Sequence, residues 1–308
     1  MLNIKEKQSV NNVEIIGTLS ELSVEPKKTG DGRAFVSAEA TIKVDQDING
    51  KVTENEIPVR FFAMQLKGDG EPNKNYKTIC EFPTKFKSLA ACGEENKDEA
   101  TKVILSSAHL EESTWVDPNG GAVKNGFKVG SSFMNAFRAS DEFIPTAKFE
   151  LTGVVLGKAR EVNGNDEETG RLKVKFAIVR YQGRVEILNL IAETPAAVDF
   201  IESNWAEGDT VKANGAIRFR QTTKTWMEEQ GFGEPIKRVK VETCKELIIL
   251  GGSNSGLEEA FSYDNTDIRV GLQDRNKRIE EQKNGAGKKP AASSAQRNTS
   301  SFGDFAGF

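Results

Sequence analysis

Apolar and polar positions alternate along much of this chain, most clearly between residues 148 and 252. In residues 171–180 (RLKVKFAIVR), Leu172, Val174, Phe176 and Ile178 share one face, and Arg171, Lys173 and Lys175 share the other. A period of two with one wet side is the mark of a half-buried strand. Residues 149–162 read as the strand before it, across the polar turn NGNDEETG, and residues 184–192 as the strand after it, across the short turn at 181–183. Thr194 is placed to cap a helix that has Pro195 at its first position, and Val198, Ile201 and Trp205 follow at helical spacing. GDTVKANGAIRFR and PIKRVKVETCKELIIL supply a fourth and a fifth strand. The order strand, strand, strand, helix, strand, strand predicts an OB fold, a five-stranded Greek-key barrel with a helix between strands three and four.

The first half carries a looser copy. NNVEIIGTL (residues 11–19) aligns with KFELTGVV (residues 148–155), so that Glu14 and Gly17 stand where the second copy has Glu150 and Gly153. Residues 33–44 form the second strand of this copy and NEIPVRFFAMQL the third, with Pro58 near its start, as an edge strand tolerates. A helix is expected within residues 76–92, beginning near Pro83, and TKVILSSAHLEESTWV and GFKVGSSFMNAF complete the set. The fold expected is therefore dominated by β-structure, with two OB barrels; two unrelated β domains are the alternative. The boundaries fall at 1–142 for the N-terminal barrel, 143–253 for the C-terminal barrel, and 254–308 for a flexible linker and tail.

Composition changes the picture most after residue 252. Residues 285–301 are mostly glycine, alanine, serine and lysine with no aromatic residue, too little apolar surface to offset the entropy of ordering them. The chain then ends SSFGDFAGF. Phe302, Asp304, Phe305 and Phe308 at the end of a disordered spacer read as a partner-binding tip. Elsewhere the 308 residues, 37% hydrophobic and 29% charged, suit two soluble domains. No apolar run approaches the length of a membrane span, and the start of the chain does not read as a signal peptide. Three cysteines without a CxxC pair favour a reducing, cytoplasmic setting and argue against zinc.

A search for catalytic chemistry finds little. The single histidine, His109, lacks the companions of a metal site and reads as structural. No phosphate-binding loop, nucleophile elbow or HExxH motif occurs, so no enzyme activity, cofactor or metal is expected. The net charge of −4 argues mildly against nucleic acid, but local distribution matters more than the sum. In the second barrel Lys173 and Lys175 lie on the outer face of strand two, Arg180, Tyr181 and Arg184 bracket the next turn, and Arg218 and Arg220 end strand four. The hairpin that follows carries Lys224, Trp226, Phe232, Lys237 and Arg238. The first barrel offers Arg60 and Phe62 on strand three, with Phe62 expected outside because it shares parity with Arg60, the alternative being that Phe61 and Phe62 are both buried under the first helix, and Trp115, Lys124, Phe127 and Lys128 around the hairpin DPNGGAVKNG. OB barrels bind single strands with the face of strands two and three and with the one–two and four–five loops, where aromatics stack on bases and cations track the backbone. A solvated basic face with a core tryptophan is the bland alternative.

The second barrel resembles the bacterial single-stranded-DNA-binding protein family. The likeness rests on a strand leading to a helix, on Gly208, Asp209, Val211, Gly215, Ile217 and Arg218 in GDTVKANGAIR, on Trp226 in the hairpin, and on the closing Leu250, Gly251 and Gly252. VNNVEIIGTLSEL at residues 10–22 is similar to the family's opening strand. The resemblance implies an OB fold, sequence-tolerant binding of single-stranded DNA, and a tail that recruits replication and recombination proteins. Family members usually carry one barrel per chain and end in several aspartates before Ile-Pro-Phe. This chain carries two and ends GDFAGF, closer in layout to a bacteriophage member. Two readings follow. One is a protein that coats single-stranded DNA. The other is an OB-fold interaction subunit, such as a recombination mediator or virion component, without direct DNA contact. A homodimer presenting four barrels and a monomer presenting two both fit.

Overall fold

The computed structural model describes residues 1–116, 123–229, 232 and 235–286, and these are mostly β-strand. The first five strands are β1 (Asn11–Lys28), β2 (Ala34–Ile48), β3 (Lys51–Met64), β4 (Lys102–Val116) and β5 (Val123–Ser131). β1 pairs antiparallel with β2, β2 with β3, β5 with β4 and β4 with β1, while β3 and β5 run parallel. The pairings return to the strand they started from and close a ring. Between β3 and β4 lie α1 (Lys74–Cys80), α2 (Phe82–Lys85) and α3 (Leu89–Cys92). The single helix expected near Pro83 is thus divided. Pro83 is accepted only in a first helical turn, and Ser88 caps a fresh start by accepting from the Ala91 amide. Phe82 of α2 meets Phe61 of β3 edge-on at 5.2 Å, so this connection also feeds the core.

After the two-residue strand β6 (Asn135–Ala136), a second set follows: β7 (Thr146–Val162), β8 (Glu168–Val179), β9 (Val185–Ala192), α4 (Pro195–Asn204), β10 (Thr210–Glu228) and β11 (Ile236–Gly252). β7, β8 and β9 pair antiparallel in turn, β9 and β11 run parallel, and β10 joins β11 to β7. This ring repeats the order of the first, including its one parallel contact. Thr194 accepts from the Ala197 amide and caps α4 as expected from sequence.

The two rings join where β1 and β7 pair antiparallel, with Val13 opposite Phe149, Asn12 opposite Glu150 and Glu14 opposite Lys148. In the alignment of the two opening strands, Val13 is the equivalent of Phe149, and Glu14 of Glu150. Each strand therefore meets its own counterpart about a local pseudo-twofold at Val13 and Phe149. Gly17 and Gly153 hold equivalent places. A Cβ there would fall 2.4 Å from the Lys43 carbonyl oxygen and 2.3 Å from that of Ala177. One hydrophobic cluster runs through both rings, from Val13 and Ile15 to Trp205 and Ile249. Ile48, at the tip of the β2–β3 hairpin, packs on Ile191, Ala216 and Ile248 of the second ring.

Residues 265–286 correct the sequence reading, which assigned them to a flexible linker. They form a helix, α5 (Asn265–Ala286). Ile268 and Arg275 are buried, and Leu272 packs on the same small cluster as Ile268, with Val179, Val185 and Tyr263. Three anchors at helical spacing hold a segment whose composition is otherwise polar. No helix among the described residues is long and apolar enough to cross a membrane.

Candidate nucleic-acid interface

β10 and β11 pair from Ala213 and Gly252 out to Glu228 and Ile236. Every residue from Arg220 to Glu228 and from Ile236 to Val241 is exposed. The outer part of this hairpin is a two-stranded ribbon, about 30 Å long at strand rise, that stands clear of the second ring. Its threonines and valines suit extended backbone, but no core lies beneath them. Side chains alternate between its faces. One face carries Lys224, Trp226 and Glu228 with Arg238, Lys240 and Glu242. The other carries Thr223, Thr225 and Met227 with Lys237, Val239 and Val241. Most charges on the Trp226 face are paired: Lys224 and Lys240 share Glu242 at 2.6 and 3.0 Å, and Arg238 pairs with Glu228. Trp226 is 47% exposed. Near the tip, Phe232 is 95% exposed.

At its base the Trp226 face runs into a belt of ion pairs. Arg171 pairs with Glu161 and Glu246, and Arg218 with Glu193 at 2.8 Å and Glu246 at 2.9 Å. Asn49, from the first ring, donates to Glu193 at 2.7 Å. Against the desolvation that burial imposes, the bonds from Arg171 and Arg218 hold the Glu246 carboxyl below the ordinary range. The bond to Glu193, opposed by desolvation and aided by Glu246, raises the Arg218 pKa. Arg218 was expected on a nucleic-acid surface. Its side chain is only 13% exposed, and its guanidinium is committed to two carboxylates, so it belongs to the scaffold.

The opposite face ends differently. Phe219 is buried, and the Lys245 ammonium lies 4.6 Å from its ring centre. The Phe219 amide donates to Asn55 Oδ1 of β3 at 2.9 Å. Asn55 is itself buried and donates to the carbonyls of Val44 and Thr53, so it ties β10 to the first ring. On the outer surface of that ring stand Arg60, paired with Glu39 at 2.7 Å, and Phe62, 60% exposed with its ring 5.5 Å from that of Phe35. Lys128 of β5 is exposed beside them. Desolvation, then the charge of Arg60, pushes the Lys128 pKa down. Desolvation, then Arg60 and Lys128, does the same to Lys245. Arg60 of β3 stands in register with Gly130, two residues beyond Lys128 on β5, and the charges of both act on Lys245 of β11. Lys245 was missed at the sequence level. It shares parity with the buried Leu247, and a lysine on the core-facing side of a strand was the available signal.

The remaining candidates are scattered. Phe127 is only 9% exposed and belongs to the hydrophobic cluster. Its alternation places it inward on β5, and it leaves the candidate set. Arg180 holds the rings together, donating to the Leu110 carbonyl at 3.3 Å and lying 3.6 Å from Glu111. The bond from His109 at 2.8 Å, opposed by desolvation and aided by Arg180, lowers the Glu111 pKa. Tyr181 is 70% exposed, and Arg184 pairs with Glu186 at 3.2 Å; both border a shallow pocket against Asp274 and Arg278 of α5. Lys173 and Lys175 are exposed on β8. The neighbouring face of β9 is largely covered, with Ile187 at 6% and Ile191 at 4% exposure, so the strand two–three surface of the second ring is only partly open. Trp115 stands opposite Lys124 across the β4–β5 hairpin, and its ring covers Gly126. Phe302, Asp304, Phe305 and Phe308 lie outside the described residues. Among the described residues no group of three or more histidines, cysteines or acids is placed to hold a metal.

The sequence model of the family described as YorF matches residues 9–285 of this chain. No curated protein matches it. Among solved structures the chain is similar to the wild-type single-stranded DNA binding protein from Thermus aquaticus, with 14% identity, 83% of this chain and 98% of that chain covered, and a TM-score of 0.45. It is also similar to a deletion mutant of that protein, with 15% identity, 82% and 97% covered, and a TM-score of 0.45.

Proposed function

The chain belongs to the YorF family, and we propose that it binds single-stranded DNA through two OB-type barrels, residues 1–142 and 143–253, without catalysing a reaction on it. The observation that carries this reading is the β10–β11 ribbon. An isolated two-stranded hairpin is marginal in water, yet this one is exposed on both strands along six paired positions, from Thr223 opposite Val241 to Glu228 opposite Ile236. It presents lysines and arginines together with exposed Trp226, Met227, Val239 and Val241. Cations neutralise phosphates, and flat or apolar side chains accept base faces.

The contact surface proposed is the ribbon face of Met227, Lys237, Val239 and Val241, joined to the outer face of the first barrel at Arg60, Phe62 and Lys128; Arg220, Lys224, Trp226 and Arg238 stand on the other face of the ribbon, and Phe232 near its tip. Lys173 and Lys175 are secondary candidates on the second barrel. Trp115 and Lys124, and Tyr181 and Arg184, lie apart from this surface. Phe62 offers its ring to solvent, and only unstacked bases have free faces to lay on it. That favours a single strand over a duplex. We assign residues 302–308 to the recruitment of replication or recombination proteins. Removing residues 301–308 should then abolish partner capture and leave DNA affinity unchanged.

An electrophoretic shift with an unstructured oligodeoxythymidine tests the function. Retardation at low salt that fades as salt rises supports it. No shift at low salt, where phosphate attraction is strongest, overturns it in favour of an interaction subunit.

A further inference from the structure

We infer that a phosphate of the bound strand seats where the two rings meet, against Arg60, Lys128 and Lys245, and that the strand leaves along the ribbon face opposite Trp226. This rests on the proposed single-strand binding and adds the path that the strand takes.

The bases of the two ribbon faces decide between the paths. A strand leaving the Trp226 face toward the ring meets the ion-pair belt. There two arginines, Arg171 and Arg218, are held by three glutamates, Glu161, Glu193 and Glu246. One negative charge is left over, and both guanidiniums are occupied. The opposite face ends on Lys245, whose ammonium lies over Phe219, itself bonded to Asn55 of β3; β3 carries Arg60 in register with Gly130, two residues beyond Lys128 on β5. Arg60 has Glu39, but neither Lys128 nor Lys245 is ion-paired with a carboxylate among the described residues. Glu111, across the strand pair from Lys128, is engaged by His109 and Arg180.

Like charges gathered at one place repel, and burial adds a desolvation cost. At Lys128 the charges of Glu111 and Glu39 offset these effects only in part, and an arriving phosphate relieves both. The geometry suits such a guest. Lys245 rests its ammonium over Phe219, and Phe219 is fixed to Asn55 of the first ring, so the cluster is built from both rings at once. Phe62 follows Arg60 on the same face of β3 and is open for stacking. In the other direction Thr223 and Thr225 offer hydroxyls, and Val239 and Val241 an apolar floor, with no carboxylate between them.

The test compares two variants of the full chain that each remove two positive charges, Lys128→Gln/Lys245→Gln and, on the exposed surface of α1, Lys74→Gln/Lys77→Gln. Both are titrated with a labelled oligodeoxythymidine over a salt series. Each lost phosphate contact lowers the slope of log affinity against log salt by about 0.7 for a single strand. The junction variant should lose the one seated phosphate, and with it about 0.7 in slope, and bind more weakly, while the Lys74/Lys77 variant keeps the wild-type slope. Thermal melting shows that the junction variant is folded, and relief of repulsion predicts no loss of midpoint. An unchanged slope in the junction variant, or an equal loss in both, overturns the path. Wild-type protein that fails to bind at low salt overturns the functional reading itself, and the path with it.

Discussion

Arg275 of α5 and Glu112 of β4 form an ion pair that is almost wholly buried, with side chains 8% and 6% exposed. The Glu112 carboxylate also accepts from the Ile187 amide at 3.2 Å, and the Glu112 amide donates to Glu186 at 3.1 Å. A helix that follows the second ring in sequence thus locks a strand of the first ring against the second. Removing one partner of a buried pair strands the other charge and costs about 3–5 kcal/mol. Arg275→Ala should destabilise the chain by an amount in that range in urea unfolding. A loss under about 1 kcal/mol, typical of a surface pair, would show that α5 does not bind the rings together.

Gly17 and Gly153 give a second stability prediction, because each lacks room for a Cβ beside a carbonyl oxygen. Gly153→Ala must push β7 away from β8, and Gly17→Ala must push β1 away from β2. Overpacking of this kind costs about 1–3 kcal/mol. Both variants should lower the melting temperature, whereas Gly30→Ala, which meets open space, should leave it nearly unchanged.

The same glycines mark what sequence could reveal. The alternation in residues 171–180 and the Thr194-Pro195 helix start are local signals, and local signals led to strands and a helix that the structure contains. Much of the stretch GDTVKANGAIR is scaffold. Gly208 sits at a positive φ of 91°, Asp209 accepts from the Ala206 amide, Val211 and Ile217 are buried, and Arg218 is held in the belt. What stayed hidden depends on contacts between distant segments. Arg218 looked like a surface cation because Glu193 and Glu246 are 25 and 28 residues away in sequence. Phe127 looked available because its hairpin looked exposed. Lys245 draws its meaning from Arg60 and Lys128, which lie on another ring. Helix α5 was lost among charges because few of its residues, Ile268, Gly271, Leu272 and Arg275 among them, make the packing.

The belt predicts an acid dependence. Glu246 and Glu193 are held below the ordinary carboxylate range in the folded chain. Their contribution is therefore present above the unfolded value of about 4.3 and is lost as pH falls through the depressed folded values. Glu246→Gln should weaken the chain at neutral pH and flatten its loss of stability in acid. Chemical unfolding of both proteins at pH 7 and near pH 3 measures this. Parallel losses at the two pH values would contradict it.

Two phenylalanines on neighbouring strands separate binding from folding. Phe62 is exposed and Phe127 buried. Phe62→Ala should leave unfolding nearly unaltered and reduce oligonucleotide affinity by about 1–3 kcal/mol, the worth of one stacked base. Phe127→Ala should do the reverse, costing about 3–5 kcal/mol of stability as a core truncation. Loss of affinity only where stability is lost would mean that the outer face of the first ring takes no part in binding.

The most direct measurement of the central claim is an equilibrium competition. A fluorescently labelled oligodeoxythymidine is bound to the full chain at low salt and displaced by unlabelled oligodeoxythymidine or by a duplex of equal length. Displacement by the single strand at far lower concentration than by the duplex is the result predicted by open stacking surfaces beside the Arg60, Lys128 and Lys245 junction. Equal displacement by both, or no binding of the labelled strand at all, would contradict it.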